Sequence, residues 1–369
     1  MKFLLIILFK LNLKFVYFFL KLLPINKKKI VLLSRQSNTP SIDFKLIEEE
    51  FLRRNANFKI VILTRRINKS LKGLIGYYLH LYKQMYHLAT SSICIVDTYI
   101  IPVSVLKHKK SLKIYQIWHA MGTVKKFGHQ TLDKPCGKDK KISELMCMHK
   151  GYTNIICGSE AIKSALAAAF NYSEDKIISN DLPRIDYLIK EKENLRKNIY
   201  KIYPNLKRKK NILYVPTFRT YKNTKVMELL ENIDLKKYNF ILKSHPSEEI
   251  ILPDKEKYQY DSFSSLQLLT IADYVITDYS TISVESTVLN IPLYFYVYDY
   301  EKYVEENGLN IDIKQEMGRY VFHDAKELVK NIELNSYDRK LLKSFRDKYI
   351  FNGNGKGTEK MVDFIVKNK

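Results

Sequence analysis

Two apolar runs end in histidine. "KIYQIWHAMGTVKK" sets His119 directly after a buried-looking segment, with Gly122 and the pair Lys125 and Lys126 behind it, and "FILKSHP" sets His245 the same way further along. Imidazole has an ordinary pKa of about 6.5, so near neutral pH it can take a proton from a hydroxyl group. A glycine turn followed by two ammonium groups suits a site where that proton leaves beside a negatively charged ligand. A second group carries related chemistry: "PTFR" supplies Thr217 and Arg219, and "TDYSTISVES" supplies Asp278, Ser280, Thr281 and Glu285. A guanidinium matches the fork of a phosphate. The N–H groups of a helix opening at Ser280 and Thr281 suit an anion, and an acid one turn in, Glu285, suits a ribose hydroxyl.

Each residue also has a plain structural reading. A histidine at a strand end is often a satisfied packing residue, although two in corresponding places weaken that view. Lys125 and Lys126 could be a solvated face, Arg219 could pair with any carboxylate, Ser280 and Thr281 are ordinary helix caps, and Glu285 could sit on a helix surface. Asp278 would either orient His245 or fix its own loop.

These groups need elements to position them. Residues 29–34, 58–64, 92–98, 112–118 and 152–159 read as strands, with helices over 43–54, 73–89 and 160–170 between them. After the charged stretch 190–210 the alternation restarts with strands in "NILYVP", "YNFILKS", "DYVITD" and "IPLYFYV". Strand and helix in alternation indicate parallel βαβ units. The expected fold is therefore α/β, with two doubly wound Rossmann-like domains facing a cleft, over residues 25–190 and 191–369. Ligands of such sheets bind outside the carboxyl ends of the strands, and that rule gathers the loops holding the residues above.

Composition limits the partners. Lys plus Arg outnumber Asp plus Glu by 62 to 39 in 369 residues, a formal charge of +23, which draws polyanions. Aromatic residues are not interleaved with the basic ones in any RNA-binding motif, so no nucleic acid is expected. The cysteines Cys94, Cys136, Cys147 and Cys157 form no CxxC pair, which favours a reducing compartment. No cluster of carboxylates, or of His and Cys, stands at ligand spacing, so neither a metal nor another cofactor is expected. GxGxxG and GxxxxGK[ST] are absent.

Residues 1–24 are the most apolar stretch, interrupted by Lys10, Lys14 and Lys21. At about 100° per residue these lysines share one stripe, within about 40° of Lys10. The segment reads as an amphipathic helix lying in an anionic membrane surface, lysines toward the headgroups; a helix covering the domain's own core and a snorkelling span are the alternatives. No small-residue cleavage site follows it, which argues against secretion.

The ordered set "WHAMGTVKKFG", "YVPTFR", "ILKSHP" and "ADYVITDYSTISVES…NIPLYFYVYDYEKY" resembles the CDP-glycerol glycerophosphotransferase family of teichoic-acid primases and polymerases. "HKGYTNIICGSEAI" and "LPRIDYL" add to the resemblance, which covers roughly residues 85–345. It implies a GT-B fold, peripheral attachment to the cytoplasmic face of the membrane, and transfer of polyol phosphate from CDP-glycerol or CDP-ribitol to a lipid-linked saccharide or polyol-phosphate acceptor, with release of CMP. It implies catalytic roles for His119 and His245. Thr217, Arg219, Asp278, Ser280, Thr281 and Glu285 then fall on the donor side, and Gly122, Lys125 and Lys126 on the acceptor side. The family's extra acceptor-binding modules are not found in the sequence. The chain departs from the family pattern in reading WHAMG for WHG, and in placing Glu285 where Asp is common. A sugar-transferring GT-B enzyme and a non-catalytic polyanion binder are the rival readings.

Overall fold

In a computed structural model of the chain, described over residues 2–68, 70–219, 225–244, 250 and 252–369, two parallel sheets organise two units. The first unit comprises Met1–Ala120, Phe127–Arg184 and Lys356–Lys369; the second comprises Met121–Lys126 and Ile185–Gly355. The first sheet contains β1 (Asn26–Ser34), β2 (Lys59–Thr64), β3 (Ser91–Val96), β4 (Lys113–Gln116), β5 (Asn154–Cys157) and β6 (Ile177–Ser179), in the order β2-β1-β3-β4-β5-β6. The second contains β7 (Lys210–Val215), β8 (Tyr238–Leu242), β9 (Tyr274–Thr277), β10 (Leu293–Tyr296) and β11 (Val321–Phe322), in the order β11-β10-β9-β7-β8.

The strands are parallel throughout, as their apolar runs require. Every residue of β3, β9 and β10 is buried, the pattern of strands covered on both faces. The helix α2 (Ile42–Arg54) begins at Ser41, whose hydroxyl accepts from the Phe44 N–H, and it buries Phe44, Ile47 and Phe51. In each sheet the chain leaves one strand in opposite directions, which creates a switch point between β1 and β3 and another between β7 and β9. Loops at the carboxyl ends of those strand pairs are where such sheets receive ligands.

The expected strand over 112–118 closes early, at Gln116. The Gln116 side chain accepts from the Trp118 N–H at 2.8 Å, and Trp118 takes a left-handed φ of 55°, which no ladder can follow. At the other end of the chain, the helix Gly357–Lys367 packs with the first unit instead of continuing the second. Asn180 Nδ2 donates to the Gly357 carbonyl at 2.9 Å, and Met361, Val362 and Ile365 are buried.

The N-terminal helix α1 (Lys2–Leu20) lies against the first unit through Leu13 and Tyr17, both buried. The Tyr17 hydroxyl meets His108 Nδ1 at 2.7 Å, and the hydroxyls of Tyr78 and Tyr82, on α3 (Leu71–Thr90), donate to Asn12 Oδ1 at 2.8 and 2.7 Å. Lys10 belongs to this inner side, its ammonium donating to the Leu145 carbonyl. The lysine stripe therefore borders the protein body, and the outward face is apolar: Leu4, Leu8, Leu11, Phe15, Phe18 and Phe19 are exposed. The helix is long and apolar enough to cross a membrane by length and composition.

Asp43, at the start of α2, is buried and accepts both the Arg184 N–H at 2.8 Å and the Arg184 guanidinium. Removing one partner of such a pair leaves a charge without compensation in a poorly solvated place. Asp43→Ala is expected to lower stability by about 3 kcal/mol, read from the shift of the urea unfolding midpoint at unchanged slope.

Candidate active site

The site in the first unit is built on the backbone at the end of β4. A bulky residue in the left-handed region costs about 1–3 kcal/mol, so something must hold Trp118 there. Its indole stacks on Phe127 at 4.5 Å and meets Phe170 edge-on at 5.3 Å. The turn brings the next side chain, His119, back toward the end of β3, where its Nδ1 lies 2.9 Å from the Asp97 main-chain carbonyl. A carbonyl can only accept. The neutral ring therefore carries its proton on Nδ1 and its lone pair on Nε2, the form a general base needs.

The three residues after β3 form a hub. Asp97 anchors His119; Thr98 takes the Arg35 N–H on its hydroxyl at 3.2 Å and the Gln116 side-chain amide on its carbonyl at 3.1 Å; Tyr99 donates its hydroxyl to the Met146 carbonyl at 2.6 Å. The Asp97 carboxyl is itself buried, and burial pushes its pKa up to about 7. Below the Trp118 ring is His149, whose pKa burial lowers to about 3, so it packs as a neutral aromatic. Asp97 and Arg35, at the carboxyl ends of β3 and β1, fall under the same strand-end rule as His119, and that position is the signal in the sequence that could have found them.

The second unit carries its own arrangement at the β7–β9 switch point. Asp278, fully buried, accepts from the Thr217 N–H at 2.9 and 3.0 Å and from the Tyr279 N–H at 2.6 Å. Arg219 joins the same carboxylate at 2.9 Å and reaches Asp299 with Nε at 2.8 Å and a second nitrogen at 3.1 Å. The rings of Tyr279, Tyr298 and Tyr303 surround its guanidinium at 5.3 to 5.4 Å. Burial works against this charge, but the carboxylates of Asp278 and Asp299 outweigh it and raise the pKa of Arg219. Of the two readings open in the sequence, carboxylate partner or phosphate fork, the geometry shows the first: the guanidinium braces the loop. The Thr217 hydroxyl is buried without a hydrogen-bond partner among the described residues.

Ser280 and Thr281 open the short helix Ile282–Thr287, with the Ser280 hydroxyl 3.4 Å from the Ile282 N–H and Glu285 buried one turn in. Gly122 is packed against that helix, since a Cβ there would lie 2.9 Å from Val284 Cγ2. The following residues pair with the segment 307–311: the Lys126 N–H donates to the Gly308 carbonyl at 3.0 Å, the Asn310 N–H to the Val124 carbonyl at 2.8 Å, and Lys125 bridges Leu309. Gly122, Lys125 and Lys126 are thus structurally part of the unit that holds Thr217 and Asp278, and in the chain only Ala120 and Met121 separate Gly122 from His119. His245 lies outside the described residues.

A family profile described as CDP-glycerol:poly(glycerophosphate) glycerophosphotransferase matches residues 15–367. The teichoic acid ribitol-phosphate primase of Bacillus spizizenii is 32% identical over 364 residues, covering 93% of this chain and 92% of that one. The teichoic acid glycerol-phosphate primase of Bacillus subtilis is 27% identical over 369 residues, 94% of each. A solved structure of the wall teichoic acid polymerase TagF, soaked with CDPG, superposes with a TM-score of 0.72 at 20% identity over 93% of this chain and 89% of that one, a likeness of fold. The profile runs from within α1 through both sheets and into the final helix, and with that span the chain belongs to the CDP-glycerol:poly(glycerophosphate) glycerophosphotransferase family.

Proposed function

We propose that the chain transfers a polyol phosphate, glycerol phosphate or ribitol phosphate, from its CDP-activated form to a lipid-linked or polymer acceptor in teichoic-acid synthesis. The observation that carries the reading is the His119 ring, held by the Asp97 carbonyl in the tautomer of a base within a chain of this family. In the proposed step Nε2 of His119 takes the proton of an acceptor hydroxyl, whose oxygen bonds to the β-phosphorus of the donor. The bond from that phosphorus to the bridging oxygen breaks, and CMP leaves with the electron pair. Phosphoryl transfer depends mainly on positioning and on charge stabilisation. The donor is assigned to the β7–β9 switch point, where Asp278 and Arg219 fix the loop and the Thr217 hydroxyl, the N–H groups around Ser280 and Thr281, and Glu285 face the nucleotide. His245 is assigned to the donor diphosphate and the departing CMP on the resemblance alone, and Lys125 and Lys126 to the acceptor. The test is CMP release from CDP-glycerol and from CDP-ribitol in the presence of a saccharide or polyol-phosphate acceptor; no acceptor-dependent release from either donor would overturn the reading.

The apolar outward face of α1 supports attachment to the cytoplasmic membrane surface through burial of its leucine and phenylalanine side chains.

Three outcomes follow. His119→Ala should reduce transfer by roughly 10²–10⁴ while leaving donor affinity within about twofold, checked by turnover and calorimetry on the same preparation. Gly122→Ala should cost activity, because the new methyl displaces the loop from Val284; Gly122→Ala with Val284→Ala should recover much of it, a coupling that a double-mutant cycle reads directly. Replacing Leu8, Leu11 and Phe15 by Ser should lower sedimentation with anionic vesicles about 100-fold or more, since each loses roughly 1.5–3 kcal/mol of apolar burial.

A further inference from the structure

At the β1–β3 switch point of the first unit two cations converge on one ring. Arg35 follows β1, and the carbon of its guanidinium lies 5.2 Å from the centre of the Tyr99 ring. Lys138 belongs to a different loop, and although much of it is open to solvent, its ammonium lies 5.8 Å from the same centre. Neither cation makes an ion pair with a carboxylate among the described residues, whereas Arg54, Arg184 and Arg219 each do. Burial and then the charge of Arg35 lower the pKa of Lys138, so each cation feels the other.

Two like charges brought together repel, and the face of one tyrosine offsets only part of that. The arrangement lacks an anion. Its position says which one. Tyr99 is fixed by its bond to the Met146 carbonyl, and two residues before it Asp97 holds His119. Arg35 is tied into the same short loop through Thr98. The Tyr99 ring that both cations face lies 5.7 Å from the His149 ring, which lies 6.0 Å from Trp118, whose ring is in turn 4.0 Å from that of His119. His119 and Arg35 are thus hydrogen-bonded to Asp97 and Thr98, and the Lys138 ammonium faces the ring of the next residue, Tyr99, all in the unit that does not contain the Thr217 and Asp278 switch point.

We propose that Arg35 and Lys138 form a phosphate-binding subsite for the acceptor, holding an acceptor phosphoryl group near the hydroxyl that His119 deprotonates. This rests on the transferase reading and goes beyond it in giving the acceptor an anionic anchor. Arg35 and Lys138 are binding residues here and take no part in bond making.

The test compares a phosphate-bearing soluble acceptor with its dephosphorylated counterpart. Arg35→Gln and Lys138→Gln should each raise the KM for the phosphate-bearing acceptor about 10-fold or more, the usual loss for a hydrogen bond to a charged group. The KM for the CDP donor and the KM for the dephosphorylated acceptor should stay within about twofold. Arg35→Lys should recover part of the loss, and thermal melting should show each variant folded. Equal losses with both acceptors, a rise in donor KM instead, or no loss at all would each overturn the proposal. So would a loss confined to anionic vesicles, which would make the pair a headgroup contact. A measurement on the unmodified protein needs no variant: a short polyol phosphate should compete with the acceptor and leave donor binding untouched, and competition with the donor alone would reject the subsite. If the unmodified protein releases no CMP from either donor, the transferase reading has failed, and calorimetric binding of the phosphate-bearing acceptor to the unmodified and Gln proteins still decides whether the anion site exists.

Discussion

One hydrogen bond, from the His119 ring to the Asp97 carbonyl, sets the terms for the rest of the first unit. The proposed base must present the same nitrogen on every encounter, and a main-chain carbonyl at the end of a fully buried strand is about as immobile a partner as a protein offers. To reach it the chain has to abandon β4 early and bend through Trp118, and the indole needs a pocket of Phe127, Phe170 and His149 to sit in. That pocket explains the aromatic density after the strand better than any demand of the core. Backbone strain at Trp118 is accepted locally because a large, well-packed side chain offsets it.

The second unit solves a similar problem with charge. The buried triad of Asp278, Arg219 and Asp299 ties the described part of the loop after β7 to the loops after β9 and β10. Buried ions are costly unless each is well paired, and here the guanidinium has two carboxylates and a carbonyl, while Asp278 has two N–H donors besides the arginine. Such a network is intolerant of change in any member. It ties the Thr217 N–H and the Tyr279 N–H to one carboxylate, which fixes the course of both loops.

Much of this could be read in advance. The strands, their parallel arrangement and the loops at their carboxyl ends follow from short apolar runs separated by helical patterns, and the loops named from that rule are the ones that carry His119, Thr217, Asp278 and Ser280. What could not be read depends on partners far away in sequence. Whether Arg219 met a phosphate or a carboxylate turned on Asp299, 80 residues on. The lysines of α1 formed a stripe in projection, but only the packing of Leu13 and Tyr17 showed that the stripe adjoins the body and leaves the outward face apolar. The charged stretch suggests a division between residues 190 and 191; the units divide after Arg184, and the final helix rejoins the first of them, because its apolar side finds α2 and the loop at Asn180. Periodicity reveals that a helix has such a side and says nothing about where it is spent.

That returning helix has a consequence for how the protein is made. Residues Ile185–Gly355 are synthesised before the helix Gly357–Lys367 that completes the first unit. At ordinary translation speeds that delay is on the order of 10 s, long compared with the folding of most domains. During it, the surface of α2 and the loop at Asn180 that will receive Met361, Val362 and Ile365 stand uncovered beside an equally uncovered apolar α1. A nascent chain with two such surfaces has an advantage if one is occupied early, and a membrane taking up α1 during translation would leave only the other to be shielded until the polypeptide is released.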